Sequence, residues 1–361
     1  MRARVGEWIG LYVVSVAIAV ALSAVLVETT GGDWLAVFDA LIEGSLTGPG
    51  RWGQTLGAAA PMLLVALGTI VSARAGLVNI GQEGQLLIGT AFAVYFGFRI
   101  SGPGPVNLVV LLVFGAMGGA LWAGLAGVLR FRRGVPEVLS TLLLVAVAGH
   151  AVAYGLKHQS LLLAPAASRG NRNQVSEQLA PDTRLPNLDL LGNQIPFAVF
   201  LGVALAFLLA FALTRTVWGF RVRMLGHNPR AARRAGVSEA QYGLRALLTS
   251  GALAGLAGAV MLAGGGFQFG NFRLVPGFSG SIGWTGLLVA LVARERALVA
   301  IVVAVVFGAL RTGSGFVGST GVESRIVDVI QGLLVLALLV PPAVMFIRDR
   351  QRARAVTTAR I

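Results

Sequence analysis

Apolar residues come in blocks along this chain, separated by clusters of arginine. Uncharged or nearly uncharged runs fall at about 8–27, 52–73, 77–98, 106–129, 138–156, 196–214, 246–266, 277–293, 297–310 and 326–347. Most are near the ~20 residues that a helix rising 1.5 Å per residue needs to cross ~30 Å of hydrocarbon. The pattern predicts an all-α polytopic membrane protein with about ten transmembrane helices, forming one transmembrane domain over residues 1–361. The first run follows Arg2 and Arg4 and lacks a small-residue cleavage pattern before Glu28 and Asp33, so it reads as a retained anchor.

Two connections are too long for simple turns. The outer one, about 157–195, is polar and rich in Asn and Pro, and reads as a surface cap or a mobile segment. The inner one, 215–240, contains His227-Asn228-Pro229, which can open a short helix, and Gly236, which can close it. A weak internal repeat is also present. Asn79-Ile80-Gly81-Gln82-Glu83-Gly84 shares I-G-x-x-G with Ser281-Ile282-Gly283-Trp284-Thr285-Gly286. The expected topology runs these two spans in opposite directions, which makes an inverted pair of about 50–157 and 241–347 with discontinuous or re-entrant segments. With 49 glycines in the chain, chance similarity is the rival explanation.

Composition sharpens this picture. Only 12% of residues are charged and mean hydropathy is +0.79, against roughly 25% charged in ordinary soluble domains. The net charge of +14 does not point to nucleic acid, because the arginines sit at the ends of apolar blocks. With the N-terminus inside, about twice as many basic residues fall on the inner side as on the outer. Both termini are then cytoplasmic, with a basic tail at 348–361. The absence of Cys removes thiolate metal sites and thiol nucleophiles. The single lysine, Lys157, follows Tyr154-Gly155-Leu156, so the chain holds no phosphate-binding P-loop and is not its own ATPase. His150, His158 and His227 lie far apart in sequence and form no visible triad or metal pair.

The chemistry that remains is concentrated at 74–85. Asn79, Gln82, Glu83 and Gln85 place amides and a carboxylate where hydrocarbon begins, either lining a pathway or forming a hydrogen-bonded packing node. SARAGLVNIGQEGQLLIG at this point resembles the signature of inner-membrane permeases of ATP-binding-cassette importers. The superfamily is that of ribose and branched-chain amino-acid permeases, in the branch served by nucleoside receptors of the basic-membrane-protein type. GVPEVLSTLLL, LGHNPRAARRAGV, SGALAGLAGA, WTGLLVALVAR and VIQGLLVLALL follow in the family's order, so the resemblance covers roughly 50–345.

The resemblance implies a permease subunit that pairs with a second, related permease and two nucleotide-binding domains, with ATP and Mg held on the partner ATPase and no cofactor in this chain. An extracytoplasmic binding protein would hand over a nucleoside, in a bacterial or archaeal cell membrane. It implies a substrate pathway at Asn79, Gln82, Glu83, Gln85, Trp284 and Thr285. It further implies an ATPase-coupling segment at Gly226, His227, Asn228, Pro229, Ala231, Ala232, Arg233 and Gly236. Departures exist: Val145-Ala146 replaces a frequent Asn-aromatic pair, and Arg294-Glu295-Arg296-Ala297 replaces N-P-L-G. Phe267, Phe269, Phe272 and Phe278 would serve either to stack a base or as interface aromatics. A monosaccharide importer of the same superfamily and a carrier working alone are the rival readings.

The orientation is open to a direct check. Single cysteines at Ser176 and Ser238 are expected to react with impermeant reagents from opposite sides of the membrane, and labelling from one side would overturn the topology.

Overall fold

The computed structural model describes residues 2–100, 102–165, 174–190, 192–265 and 271–358. Helices dominate: α1 (Arg2–Thr29), α2 (Trp34–Ile42), α3 (Arg51–Arg74), α4 (Gln82–Gly97), α5 (Gly104–Arg133), α6 (Glu137–Gly155), α7 (Phe197–Arg215), α8 (Val217–His227), α9 (Pro229–Arg234), α10 (Glu239–Ala263), α11 (Ile282–Val292), α12 (Ala297–Val317) and α13 (Ile326–Thr358). The one sheet among the described residues is a two-stranded antiparallel hairpin, β1 (Asn187–Leu190) with β2 (Asn193–Pro196). An all-α polytopic membrane protein is what the chain builds.

Eight of these helices are long and apolar enough to cross a bilayer, against the ten spans expected. The difference lies in two places. The runs at 77–98 and 277–293 yield helices of only 16 and 11 residues, α4 and α11, because each begins with backbone that is not helical. The described residues of the connection at 157–195 pack against Ala263, Phe272 and Leu274. The hairpin belongs to it, and Leu179 and Leu185 N–H donate to the carbonyls of Phe272 and Ala263 at 2.9 and 3.0 Å. Ser176 is buried here, with its hydroxyl accepting from Leu274 N–H at 2.8 Å. Glu177 is therefore the better cysteine position on that side, and exposed Ala240 spares the Ser238 hydroxyl, which caps α10 on the other.

The chain divides into two compact units, Met1–Arg51 with Ala309–Ile361, and Trp52–Gly308. In the first, α1 packs along α13, and Val27, Val37, Leu41, Val317, Val322, Ile326, Val327 and Ile330 form its core. Asp33 starts α2 by accepting from Leu35 N–H, an element the sequence reading missed between the first two spans.

In the second unit α3 and α10 are the central helices, with 83% and 72% of their apolar windows buried, against 28–33% for α5, α6 and α7. Lipid supplies no hydrophobic drive for helices to associate, so close backbone approach between small residues has to do so. Gly115, Gly119 and Ala123 on α5 face Gly251, Gly255 and Ala259 on α10, both at four-residue spacing. A methyl group built on Gly119 would stand 2.7 Å from the Gly255 Cα, and one on Gly89 of α4 would stand 2.7 Å from the Gly115 carbonyl oxygen. The opposite face of α5 presents Val106, Val109, Val113, Met117, Leu121, Leu125 and Val128, the three-to-four-residue spacing of a lipid-facing stripe.

Overpacking a close-packed contact costs about 1–3 kcal/mol, and here rigid backbone stands on both sides. Gly119→Ala is therefore expected to lower the thermal stability of the purified protein. Gly149→Ala, on α6 with nothing within 4 Å of the added methyl, leaves it unchanged or raises it. Equal stability of the two variants would contradict this packing.

Candidate functional site

Both I-G-x-x-G motifs sit where a helix restarts after a break. In each, the two glycines mark close approaches. Gly81 packs on Thr141 and Gly84 on Val145, both of α6, whereas Gly283 packs on Glu83 of α4 and Gly286 on Val65 of α3. Val145, where the resembling branch often carries Asn, thus lies in an apolar α4–α6 contact.

Between α3 and α4 the chain is non-helical at 75–81, and its polar groups are answered by side chains. Gly81 N–H donates to Asn79 Oδ1 at 3.0 Å, Ile80 N–H to Thr141 Oγ1 at 3.3 Å, and Val78 N–H to Glu137 Oε1 at 3.4 Å. Asn79 and Gln85 form a reciprocal amide pair, with Asn79 Nδ2 donating to Gln85 Oε1 at 3.0 Å and Gln85 Nε2 to Asn79 Oδ1 at 2.9 Å. The Ser250 hydroxyl of α10 accepts from both Asn79 Nδ2 and Gln82 Nε2 at 2.9 Å. Gln82 Oε1 is buried beside Gly68 without a hydrogen-bond partner among the described residues.

Glu83 reaches to the start of α11. Its Oε2 accepts from Gly283 N–H at 2.7 Å, and the Ser279 hydroxyl and the N–H groups of Ser281 and Trp284 also face the carboxyl. Ser281 precedes α11 in a left-handed conformation, φ 65°, and offers no side-chain cap of its own. The carboxylate of α4 thus takes the place of a local N-cap, satisfying donors that hydrocarbon would leave unpaired.

The sequence-selected residues therefore separate into two groups. Asn79, Gln82, Glu83 and Gln85 are brought together and buried, their polar atoms turned mainly toward one another, Ser250 and α11. Trp284 and Thr285 lie one turn into α11, with Trp284 exposed and Thr285 half-buried. Of the four aromatics considered, Phe267 and Phe269 lie outside the described residues, and Phe272 is covered by the Arg184 guanidinium at 3.9 Å from its ring centre. Sequence reasoning missed Ser250, Thr141 and Glu137. Ser250 opens SGALAGLAGA and Thr141 lies in GVPEVLSTLLL, motifs whose polar members were the available signal.

The connection at 215–240 holds two helices where one was expected. Thr216 caps α8 by accepting from Gly219 N–H at 3.1 Å. Asn228 Oδ1 accepts from Arg230 and Ala231 N–H, both at 3.1 Å, and Pro229 fills the first position of α9. At its other end Gly236 takes φ 77° and donates to Arg233 C=O, while Val237 N–H donates to Ala232 C=O at 2.9 Å. That pair of bonds is a Schellman closure, with buried Val237 and Ala232 as its apolar contact. His227, Asn228, Pro229, Ala231, Arg233 and Gly236 are exposed, whereas Gly226 packs against the Arg74–Gly76 turn that ends α3. The result is a knuckle capped at both ends, with one face exposed.

A polytopic helical bundle in which, among the described residues, two short helices restart after non-helical backbone and a capped knuckle joins two long helices is the build of a membrane permease. Residues 53–339 match the family described as the permease component of the branched-chain amino acid transport system, and the chain belongs to that family. It is a transport component and not an enzyme. It is 28% identical to the guanosine ABC transporter permease protein NupP of Bacillus subtilis over 94% of this chain and 96% of that one. It is 30% identical to the glucose ABC transporter permease protein TsgB13 of Haloferax volcanii, over 94% and 89% of the two chains. The nucleoside ABC transporter permease protein NupB of Lactococcus lactis is 24% identical over 88% of this chain and 87% of its own length. No solved structure matches the chain.

The amide pair yields a quantitative expectation. Leaving a buried donor or acceptor unpaired costs about 1–3 kcal/mol. Asn79→Ala and Gln85→Ala should each lower unfolding stability by about that much, and the double variant by clearly less than their sum. Additive losses in thermal or denaturant melts would mean that the two amides do not act as a pair.

Proposed function

We propose that this chain is the permease subunit of an ATP-binding-cassette importer that carries a nucleoside across the cell membrane. The observation that carries this reading is the end-to-end match to the guanosine permease, 94% of one chain against 96% of the other. In this reading ATP and Mg are held on separate nucleotide-binding domains, which agrees with the lack of a P-loop in this chain. Two such domains, a second related permease and an extracytoplasmic binding protein complete the complex, with both termini cytoplasmic in a bacterial or archaeal membrane.

In this reading α9 is the coupling element. Its exposed residues, from His227 to Gly236, seat in a groove of the ATPase, and its closed caps let it transmit force without unwinding. Trp284 and Thr285, on the accessible face at the start of α11, line the pathway, while Asn79, Gln82, Glu83 and Gln85 form the frame that sets their position. An aromatic ring beside a hydroxyl suits an uncharged, ring-bearing solute. The glucose permease of Haloferax volcanii supports a second reading, in which the solute is a monosaccharide.

Uptake by proteoliposomes holding the complete complex separates these readings. Labelled guanosine is expected to accumulate only with ATP and binding protein, with competition by nucleosides and not by glucose. Glucose uptake alone would move the chain to the sugar reading, and uptake without ATP would make it a carrier working alone. Gly236→Val forces a branched side chain into φ 77°, and Asn228→Ala removes a cap valued at about 1 kcal/mol. Both are expected to insert normally and to lose most of the ATP hydrolysis stimulated by the binding protein. Full stimulation in both would remove α9 from coupling.

A further inference from the structure

The short helix α11 is gripped at both ends by residues that flank a single stretch of chain. At its start, Gly283 N–H donates to Glu83, the second residue of α4. Beyond its other end, Arg294 and Glu295 take φ values of 51° and 55°, a conformation that L side chains rarely adopt. Arg74, the last residue of α3, holds that turn. Its Nη2 and Nε donate to the Glu295 carbonyl at 2.7 and 3.2 Å, and its Nε lies 3.5 Å from the Glu295 carboxylate. The break at 75–81 runs between the two grips.

The dimensions agree with a strap. Eleven helical residues span about 16 Å, and the nine steps from Arg74 to Glu83 reach at most about 30 Å. Within the strap, Gly76 takes φ 76° and packs back to back with Gly226, where a methyl group on either would lie within about 3 Å of the other's backbone. Gly226 stands two residues before the Asn228 cap of α9. Backbone against backbone leaves no side chain to absorb a displacement.

We propose that Arg74 and Glu83 are positioning residues that clamp α11 to the 75–81 strap. The strap and helix then move as one lever, driven from α9 through the Gly76–Gly226 contact. This rests on the coupling role proposed for α9, and it adds how that motion reaches the face that carries Trp284 and Thr285. Both grips are made by long side chains whose loss leaves the neighbouring helices their other contacts.

The test is hydrogen exchange of the complex in nanodiscs, read on peptides covering 279–296, together with uptake kinetics. Glu83→Leu is expected to speed exchange of the Ser281, Gly283 and Trp284 amides about ten-fold or more. Glu83→Gln, which retains an acceptor oxygen, keeps most of the protection. Arg74→Leu releases the 293–296 turn, and Arg74→Lys restores it in part. In uptake, Glu83→Leu and Arg74→Leu should lower kcat several-fold at unchanged KM, with basal ATP hydrolysis retained. Unaltered exchange at Ser281, Gly283 and Trp284 in Glu83→Leu would overturn the clamp, as would a raised KM at unchanged kcat, which would make Glu83 a substrate contact. Exchange does not depend on what is transported, so wild-type protein that fails to take up solute with ATP would count against the importer and leave the clamp standing.

Discussion

Hydrocarbon offers no hydrogen bonds, so each N–H and C=O released by interrupting a helix inside the bundle must be met by another protein group. Two interruptions stand out among the described residues, and much of the polar chemistry of the second unit is organised around them. The first is closed by Asn79, Thr141 and Glu137, and the second by Glu83 reaching across from the helix that the first one starts. Each break would be costly alone. Joined through Glu83, the start of one helix becomes the support of the other.

That constraint also explains the glycines. The I-G-x-x-G glycines admit neighbouring backbones where polar side chains must meet, and those at 115, 119, 251 and 255 bring α5 and α10 close enough to hold the surrounding helices in place. A bundle assembled through small residues gains little from hydrophobic burial and much from fit. Its rigid part, α4 with α5 and α10, thus lies beside the interrupted spans.

Much of this was legible before any coordinates. Block length and arginine placement set the class, Asn228-Pro229 and Gly236 marked both ends of α9, and the crowding of Asn79, Gln82, Glu83 and Gln85 located the polar node. What remained hidden has a physical cause. Hydropathy alone does not distinguish a spanning helix from a shorter one that starts late, so α4 and α11 read as full spans. The node's outside partners, Ser250 and the amides of α11, lie roughly 170 to 200 residues away, beyond the reach of local pattern. Taken alone, the sequence presents Glu83 as a group facing solute or its own neighbours, yet its carboxyl accepts from the start of a distant helix. Such a contact leaves only a glycine as its trace.

The apolar stripe on α5 carries a consequence for the surrounding lipid. From Val106 to Val128 it rises about 33 Å at 1.5 Å per residue, slightly more than the ~30 Å of a typical hydrocarbon core. In a thinner bilayer a stretch of this length is accommodated by leaning, kinking or locally thickening the lipid, and a lean has to involve the helices packed on α5. Its backbone is locked to α10 at Gly119 and Gly255, so α10 leans with it and carries Ser250, the hydroxyl that ties Asn79 to Gln82.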